Sequence, residues 1–337
     1  MTKYLSDKLT VLYTILIIMV VYIHSYYLES EQYVVSHFIQ KFIGHGICQI
    51  ANCLFFCISG YLFVRNINGI NDIWPKLKKK VRTLVLPYVL WNLVFVLWYI
   101  IIERKPYANQ FNNGTGTLER YLNQLITDSL YSLFLAPAAF QLWFLRDLIV
   151  MSVCVPLLWW LTKKSWVIAL LIAFFSVSFY PWLLYFWIGI ILSVKKCKIE
   201  NYSCPVWIFI LGVFIYLFYA VYSAYGNVVN RFVMAFINIV SLYVIWKLYD
   251  IFAHGKCLKN KGIFKYICGY SFFIYCFHEP TFNIIKKLAL AICGVSEFTV
   301  TLFYLLNPWI MVFVSVFVAK LLNRFTPRVY AILTGGR

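Results

Sequence analysis

The chain has 337 residues, 63% of them hydrophobic and only 12% charged, about half the charged share of an ordinary soluble domain. That excludes a soluble enzyme and marks an integral membrane protein. A formal charge of +18 does not imply nucleic acid, because the basic residues fall in short loops between apolar runs and form no patch on a soluble face.

Ten cysteines are scattered through apolar segments with no Cys-x-x-Cys pair and no zinc-type spacing. They read as small buried hydrophobes, and no metal is expected. The apolar runs approach 20 residues and lack strand alternation, so helices are the spanning form.

Short basic loops stay in the cytoplasm, which sorts the segments by side. Lys3 and Lys8 place the N-terminus inside, and no small-residue cleavage site follows the first run, which therefore reads as a retained helix over about 8–28. A second helix (about 46–64) returns to a basic loop from Arg65 to Arg82 that holds Lys76, Lys78, Lys79 and Lys80. The third (about 84–102) leads to an outer loop around Asn109 to Gly114, and a shorter piece at about 121–140, broken by Pro137, lies at the outer interface.

From Leu142 the chain re-enters to Lys163 and Lys164, passes out and back through about 166–180 and 182–194, and meets Lys195, Lys196 and Lys198. Two further crossings (about 205–224 and 231–249) end at the loop with Lys256, Lys259, Lys261 and Lys265. The last pair (about 266–284 and 299–321) brings the C-terminus inside beside Arg324, Arg328 and Arg337. The expectation is an all-α polytopic bundle of about ten transmembrane helices, both termini cytoplasmic, in one integral-membrane domain over residues 1–337. On this sorting 22 of the 30 basic residues lie inside.

His24 stands out because ionisable side chains in a spanning helix are costly and mark a pathway or a reaction site. His278, in Phe277-His278-Glu279-Pro280, falls near the outer end of the ninth helix. A lone histidine in an apolar helix is more often a packing residue than a catalyst, and the shared depth of the two lifts His24 above that reading. Arg82 sits where the third apolar run begins, placed to point a planar, permanently charged fork at a phosphate. The other lysines of its loop are explained by topology and by anionic lipid. Ser59-Gly60 is a small pair that lets another helix approach closely, and Arg146-Asp147 reads as a mutually neutralising pair; either could also line a cavity.

These stretches together resemble the membrane acyltransferase-3 family. The residues are His24, Leu54-Phe55-Phe56-Cys57-Ile58-Ser59-Gly60-Tyr61-Leu62, Arg82 with Leu84-Val85-Leu86-Pro87-Tyr88, Leu142-Trp143-Phe144-Leu145-Arg146-Asp147-Leu148, Gly189, and Ile274-Tyr275 before His278. The closing Thr334-Gly335-Gly336-Arg337 resembles polysaccharide-modifying members. The resemblance implies transfer of an acyl group, usually acetyl, from cytoplasmic acyl-CoA (acetyl-CoA) to a hydroxyl of a lipid-linked or cell-surface glycan, in a multi-pass protein of the bacterial inner membrane. Membrane lipid is a partner and nucleic acid is not.

Carried over, His24 is the essential histidine and Arg82 a residue of the acyl-CoA side. Ser59, Trp143, Arg146, Asp147, His278 and Glu279 are expected to be substrate-binding or supporting. One departure is Tyr13, which stands eleven residues before His24 where many members have arginine or lysine. Lys8 does not replace it, because it projects from the opposite side of an ideal helix.

The chemistry agrees with the residue types. A sugar hydroxyl is a weak nucleophile, and a neutral imidazole removes its proton as it attacks the thioester. Glu29, Asp147 and Glu279 are the acids able to orient such an imidazole. A glycan-lipid transporter or flippase, and a non-catalytic scaffold of polysaccharide assembly, are the rival readings.

Overall fold

The computed structural model describes residues 2–103, 137–197, 199–200, 205–253 and 262–336. The expected outer loop Asn109 to Gly114, most of the 121–140 piece, Lys198, the basic residues Lys256, Lys259 and Lys261, and Arg337 lie outside the described residues. Among those described there is no strand. Seven helical runs are long and apolar enough to cross a membrane: Lys3–His24, Val34–Val64, Ile70–Trp98, Phe140–Lys164, Val206–Ala224, Arg231–Ala253 and Glu297–Phe325. Two shorter apolar runs, Trp166–Ser178 and Pro181–Val194, and the long helix Gly262–Cys293 coincide in sequence with the other segments expected to be helical. The protein is an all-helical, multi-pass membrane protein.

We number the helices α1 (Lys3–His24), α2 (Val34–Gln40), α3 (Ile50–Val64), α4 (Ile73–Lys80), α5 (Leu86–Glu103), α6 (Trp143–Lys164), α7 (Trp166–Phe175), α8 (Pro181–Val194), α9 (Val206–Ala224), α10 (Arg231–Ala253), α11 (Gly262–Cys293), α12 (Glu297–Phe325) and α13 (Pro327–Leu333). The core gathers around α1, α3, α8 and α11, with Leu16, Ile17, Phe56, Phe186, Phe273 and Ile274 buried. Toward the outside, α9 presents Ile210, Phe214 and Phe218 at helical spacing, the apolar stripe that a lipid-facing surface requires.

Several boundaries differ from expectation, each for a tertiary reason. The first helix ends at His24, not near residue 28, so His24 is its last residue and not a side chain one turn inside it. The Ser25 hydroxyl donates to the Tyr22 carbonyl at 2.8 Å and the Tyr27 amide donates to Gln40 Oε1 at 2.7 Å, which turns the chain out of the helix. The second run begins at Val34, well before residue 46, and passes through a π-helical stretch, Lys41–Ile47. There a Cβ on Gly46 would lie 2.7 Å from Ala220 Cα, so α9 sits almost on the backbone, and the Tyr216 hydroxyl takes up the Ile47 carbonyl at 2.5 Å.

Between α3 and α8 the backbones touch. A Cβ on Gly60 would lie 2.0 Å from the Phe186 carbonyl oxygen, and one on Gly189 would lie 2.0 Å from that of Cys57. Here the small residue of the Ser59-Gly60 pair does what its size predicts. The cysteines depart from a uniform buried reading: Cys48, Cys53 and Cys276 are buried, whereas Cys154, Cys197 and Cys293 are exposed. Free thiols tolerate a lipid-facing or loop position because they carry little polarity.

α11 breaks at Glu279, which has φ −108° and ψ 141°. Pro280 follows, and a residue before proline is pushed out of the helical region. Proline also lacks the N–H that would bond the Cys276 carbonyl, and Gln141 Nε2 supplies the missing donor at 3.0 Å while reaching the Glu279 carbonyl at 2.7 Å. The Tyr275 hydroxyl donates to the Gln141 carbonyl at 2.5 Å and accepts from the Leu145 amide at 3.3 Å. The break in α11 and the start of α6 are thereby clamped together.

Candidate active site

α1 and α11 run in the same direction side by side. Thr14 Oγ1 donates to the Phe264 carbonyl at 2.8 Å near one end of the pair, and near the other the rings of His24 and His278 have centroids 4.9 Å apart. The two histidines that shared only a depth in the sequence therefore share a site. Phe140 meets the His24 ring edge-on at 6.2 Å. Lys286, beyond the break in α11, places Nζ 3.2 Å from the carbonyls of both His24 and Tyr26, a cation on the orphan carbonyls that end a helix.

The His24 ring makes no hydrogen bond to a described residue. None of the expected orienting acids does that work: Asp147 is buried and paired with Arg146 at 2.7 Å, and Glu279 Oε2 accepts from Asn283 Nδ2 at 3.3 Å. Glu29 lies in the short turn Leu28–Gln32 that follows the helix.

A cavity of about 710 Å³ lies between α1 and α11 on the N-terminal side of this pair. One end is lined by Lys76, Lys79, Lys80, Thr83, Gly335 and Gly336; the lining also includes Val20, Leu145 and Tyr275, with Tyr13, Asn52, Phe55 and Ser59. Val20 precedes His24 by one turn and Tyr275 precedes His278 by three residues, so the cavity stops about one helical turn short of the imidazoles. Its basic end has a simple origin. Residues 76, 79, 80 and 83 follow the i, i+3, i+4, i+7 spacing of one helix face. Lys76 also holds the frayed end of α3, donating to the Phe63 carbonyl at 2.8 Å and the Arg65 carbonyl at 2.5 Å.

Arg82 lies off that face, is exposed, and does not line the cavity. The lysines read as topology signals in the sequence are the cations that do. Tyr13 lines the cavity and stacks on Phe55 at 5.6 Å, so a tyrosine faces the cavity at the position where the resemblance led to the expectation of a cation. Lys8 faces elsewhere, paired with Asp250 at 2.8 Å and 4.1 Å from the Trp246 ring centroid. Trp143 packs against Trp182 at 5.2 Å and lies outside the cavity lining.

Sequence reasoning missed Gln141 and Lys286 and quoted Tyr275 only within a motif. Pro280 was the available signal for Gln141, since it strands the carbonyl four residues back and so demands a donor. The sequence alone does not place the C-terminal glycines. In the structure Gly335 has φ +69°, and a Cβ on it would lie 2.7 Å from the Thr83 carbonyl oxygen, which seats the chain end at the basic end of the cavity.

The family model for an acyltransferase domain of the acyltransferase-3 type matches residues 7–322. The chain is 24% identical to the succinoglycan biosynthesis protein ExoH of Rhizobium meliloti (strain 1021), over 98% of this chain and 92% of that protein. No solved structure matches. With a helical bundle, a lysine-ended cavity and a histidine pair beyond it, and with nearly the whole chain inside the family model, the protein belongs to the acyltransferase-3 family of membrane acyltransferases.

Proposed function

We propose that the protein transfers an acyl group, acetyl in the simplest case, from cytoplasmic acyl-CoA to a hydroxyl of an extracytoplasmic or lipid-linked glycan. One observation carries the reading: a cavity with cations at one end stops a helical turn short of two paired imidazoles. Lysines suit the phosphates of the donor, and an apolar wall that includes Ile17, Val20, Phe55 and Phe144 suits its uncharged arm. The glycan acceptor is supported by the name of the relative, a succinoglycan biosynthesis protein.

In this mechanism His24 takes the proton of the acceptor hydroxyl as its oxygen attacks the thioester carbonyl. The carbon–sulfur bond breaks, an ester forms, and the proton passes to the leaving thiolate. Ser59 belongs to the cavity wall. The Arg146–Asp147 pair, Trp143 and Glu279 support the elements around the pair of histidines, and the bacterial inner membrane is the expected location.

Mass spectrometry of surface glycan from cells with and without the gene tests the function. Loss of an acetyl increment is the expected result, and loss of a succinyl increment would change the acyl group while keeping the reaction. Glycan that keeps its acyl content but fails to reach the surface would replace the enzyme by a transporter.

Donor binding gives a second test. Joint Lys79→Ala and Lys80→Ala replacement is expected to raise the KM for acyl-CoA about tenfold or more, the effect of losing a bond to a charged group. Arg82→Ala, on an exposed face, should shift it by much less. A larger effect at Arg82 than at the two lysines would move the phosphates off the cavity.

A further inference from the structure

His278 is fully buried, at 0% exposure. Its Nδ1 lies 2.8 Å from the Tyr275 carbonyl oxygen and 3.1 Å from that of Ile274. Carbonyls only accept, so in the neutral ring Nδ1 carries the proton and donates, and Nε2 is left as a bare lone pair. That Nε2 is buried and has no hydrogen-bond partner among the described residues. Buried acceptors are almost always paired, and an orphan one calls for an explanation.

The His24 ring lies beside it, with centroids 4.9 Å apart and planes at 57°. Two imidazoles joined by an N–H···N bond have centroids about 5 Å apart, so a rotation of the His24 ring closes the bond. Hydrogen bonds of this kind are often open before substrate binds. The backbone on either side of His278 is held, because Gln141 clamps the carbonyls of Cys276 and Glu279.

We infer that His278 is the positioning residue of His24: its Nε2 accepts the N–H of the His24 ring and leaves the other His24 nitrogen bare toward the acceptor hydroxyl. The inference rests on His24 being the base. It assigns to an imidazole the post that a carboxylate fills in a hydrolytic triad, and it accounts for the absence, among the described residues, of any acid bonded to His24. The proton taken from the hydroxyl resides on the outward nitrogen of His24 and leaves from there to the thiolate. The inward N–H stays on His24 throughout, held by His278.

Two variants of similar polarity separate the two nitrogens. His278→Asn keeps a donor near the Nδ1 position for the backbone carbonyls and lacks the Nε2 acceptor. His278→Gln places an acceptor oxygen near Nε2. In detergent-solubilised protein that elutes as a single species on size exclusion, His278→Asn should lower kcat on the order of 10–100-fold, less than loss of the base itself, with both KM values little changed. His278→Gln should recover most of that loss. Wild-type kcat in both variants, equal losses in both, or a loss carried by KM would overturn the inference. If His24→Gln keeps its activity, the base reading fails and takes this one with it; an inactive His24→Gln beside a wild-type His278→Asn removes only the role of His278.

Discussion

Gly189→Ala is expected to remove most of the folded protein from the membrane fraction, and Gly60→Ala to do the same. A Cβ on Gly189 would stand 2.0 Å from the Cys57 carbonyl oxygen and 2.7 Å from the Tyr61 amide nitrogen. Its counterpart on Gly60 would stand 2.0 Å from the Phe186 carbonyl oxygen. These are backbone atoms, so no rotamer change relieves the contact and the two helices must separate along their whole crossing.

Overpacking a core by one methyl typically costs 1–3 kcal/mol, occasionally more, where side chains can yield; here they cannot, so about 3 kcal/mol is a lower bound. Against a total stability of roughly 5–15 kcal/mol, that is enough to cut the yield and lower the melting temperature sharply. Gly269→Ala is the control: nothing lies within 4 Å of its Cβ position, and alanine in a helix interior gains about 0.5–1 kcal/mol over glycine. Fluorescence-detected size exclusion after a temperature ramp reads all three. A Gly189→Ala protein that melts with the wild type would mean that α3 and α8 are not in backbone contact.

The helical runs, seven of them among the described residues long and apolar enough to cross a membrane, were legible because a bilayer imposes length and apolarity on every span, a constraint written locally in the sequence. Helix ends were less legible, since they depend on partners far along the chain. α1 ends at His24 because Gln40 and Lys286 receive the turn, and nothing in residues 20–28 announces either. The basic end of the cavity was legible in principle from the spacing of Lys76, Lys79, Lys80 and Thr83. The expectation of a donor-side cation fell on Arg82, which is exposed and lies outside the cavity lining, because number and not helical face set these lysines aside.

Of the site, the two histidines were visible as costly residues in apolar segments. Their contact was not, because it requires α1 and α11 to be neighbours. Carboxylates are the usual orienting groups, but of the three expected ones Asp147 pairs with Arg146 and Glu279 bonds Asn283, and none of the three is hydrogen-bonded to the His24 ring.

His24→Gln is expected to leave the protein folded and in the membrane and to abolish acyl transfer. His24 is the last residue of α1, its ring bonds no described side chain, and the contact that secures the helix end runs from Lys286 to the backbone carbonyl, which every variant keeps. Glutamine preserves much of the volume against Phe140 and His278 and can still hydrogen-bond, but it cannot accept a proton at neutral pH. Positioned proton transfer contributes 10²–10⁴-fold, so kcat with purified acceptor and acyl-CoA should fall by about that factor, with His24→Ala similarly inactive. A transporter would keep part of its flux with glutamine and would leave the acyl content of the glycan untouched in every variant. Near wild-type acylation by His24→Gln would instead pass the role of base to the bare Nε2 of His278, whose own replacement by asparagine would then be the lethal change.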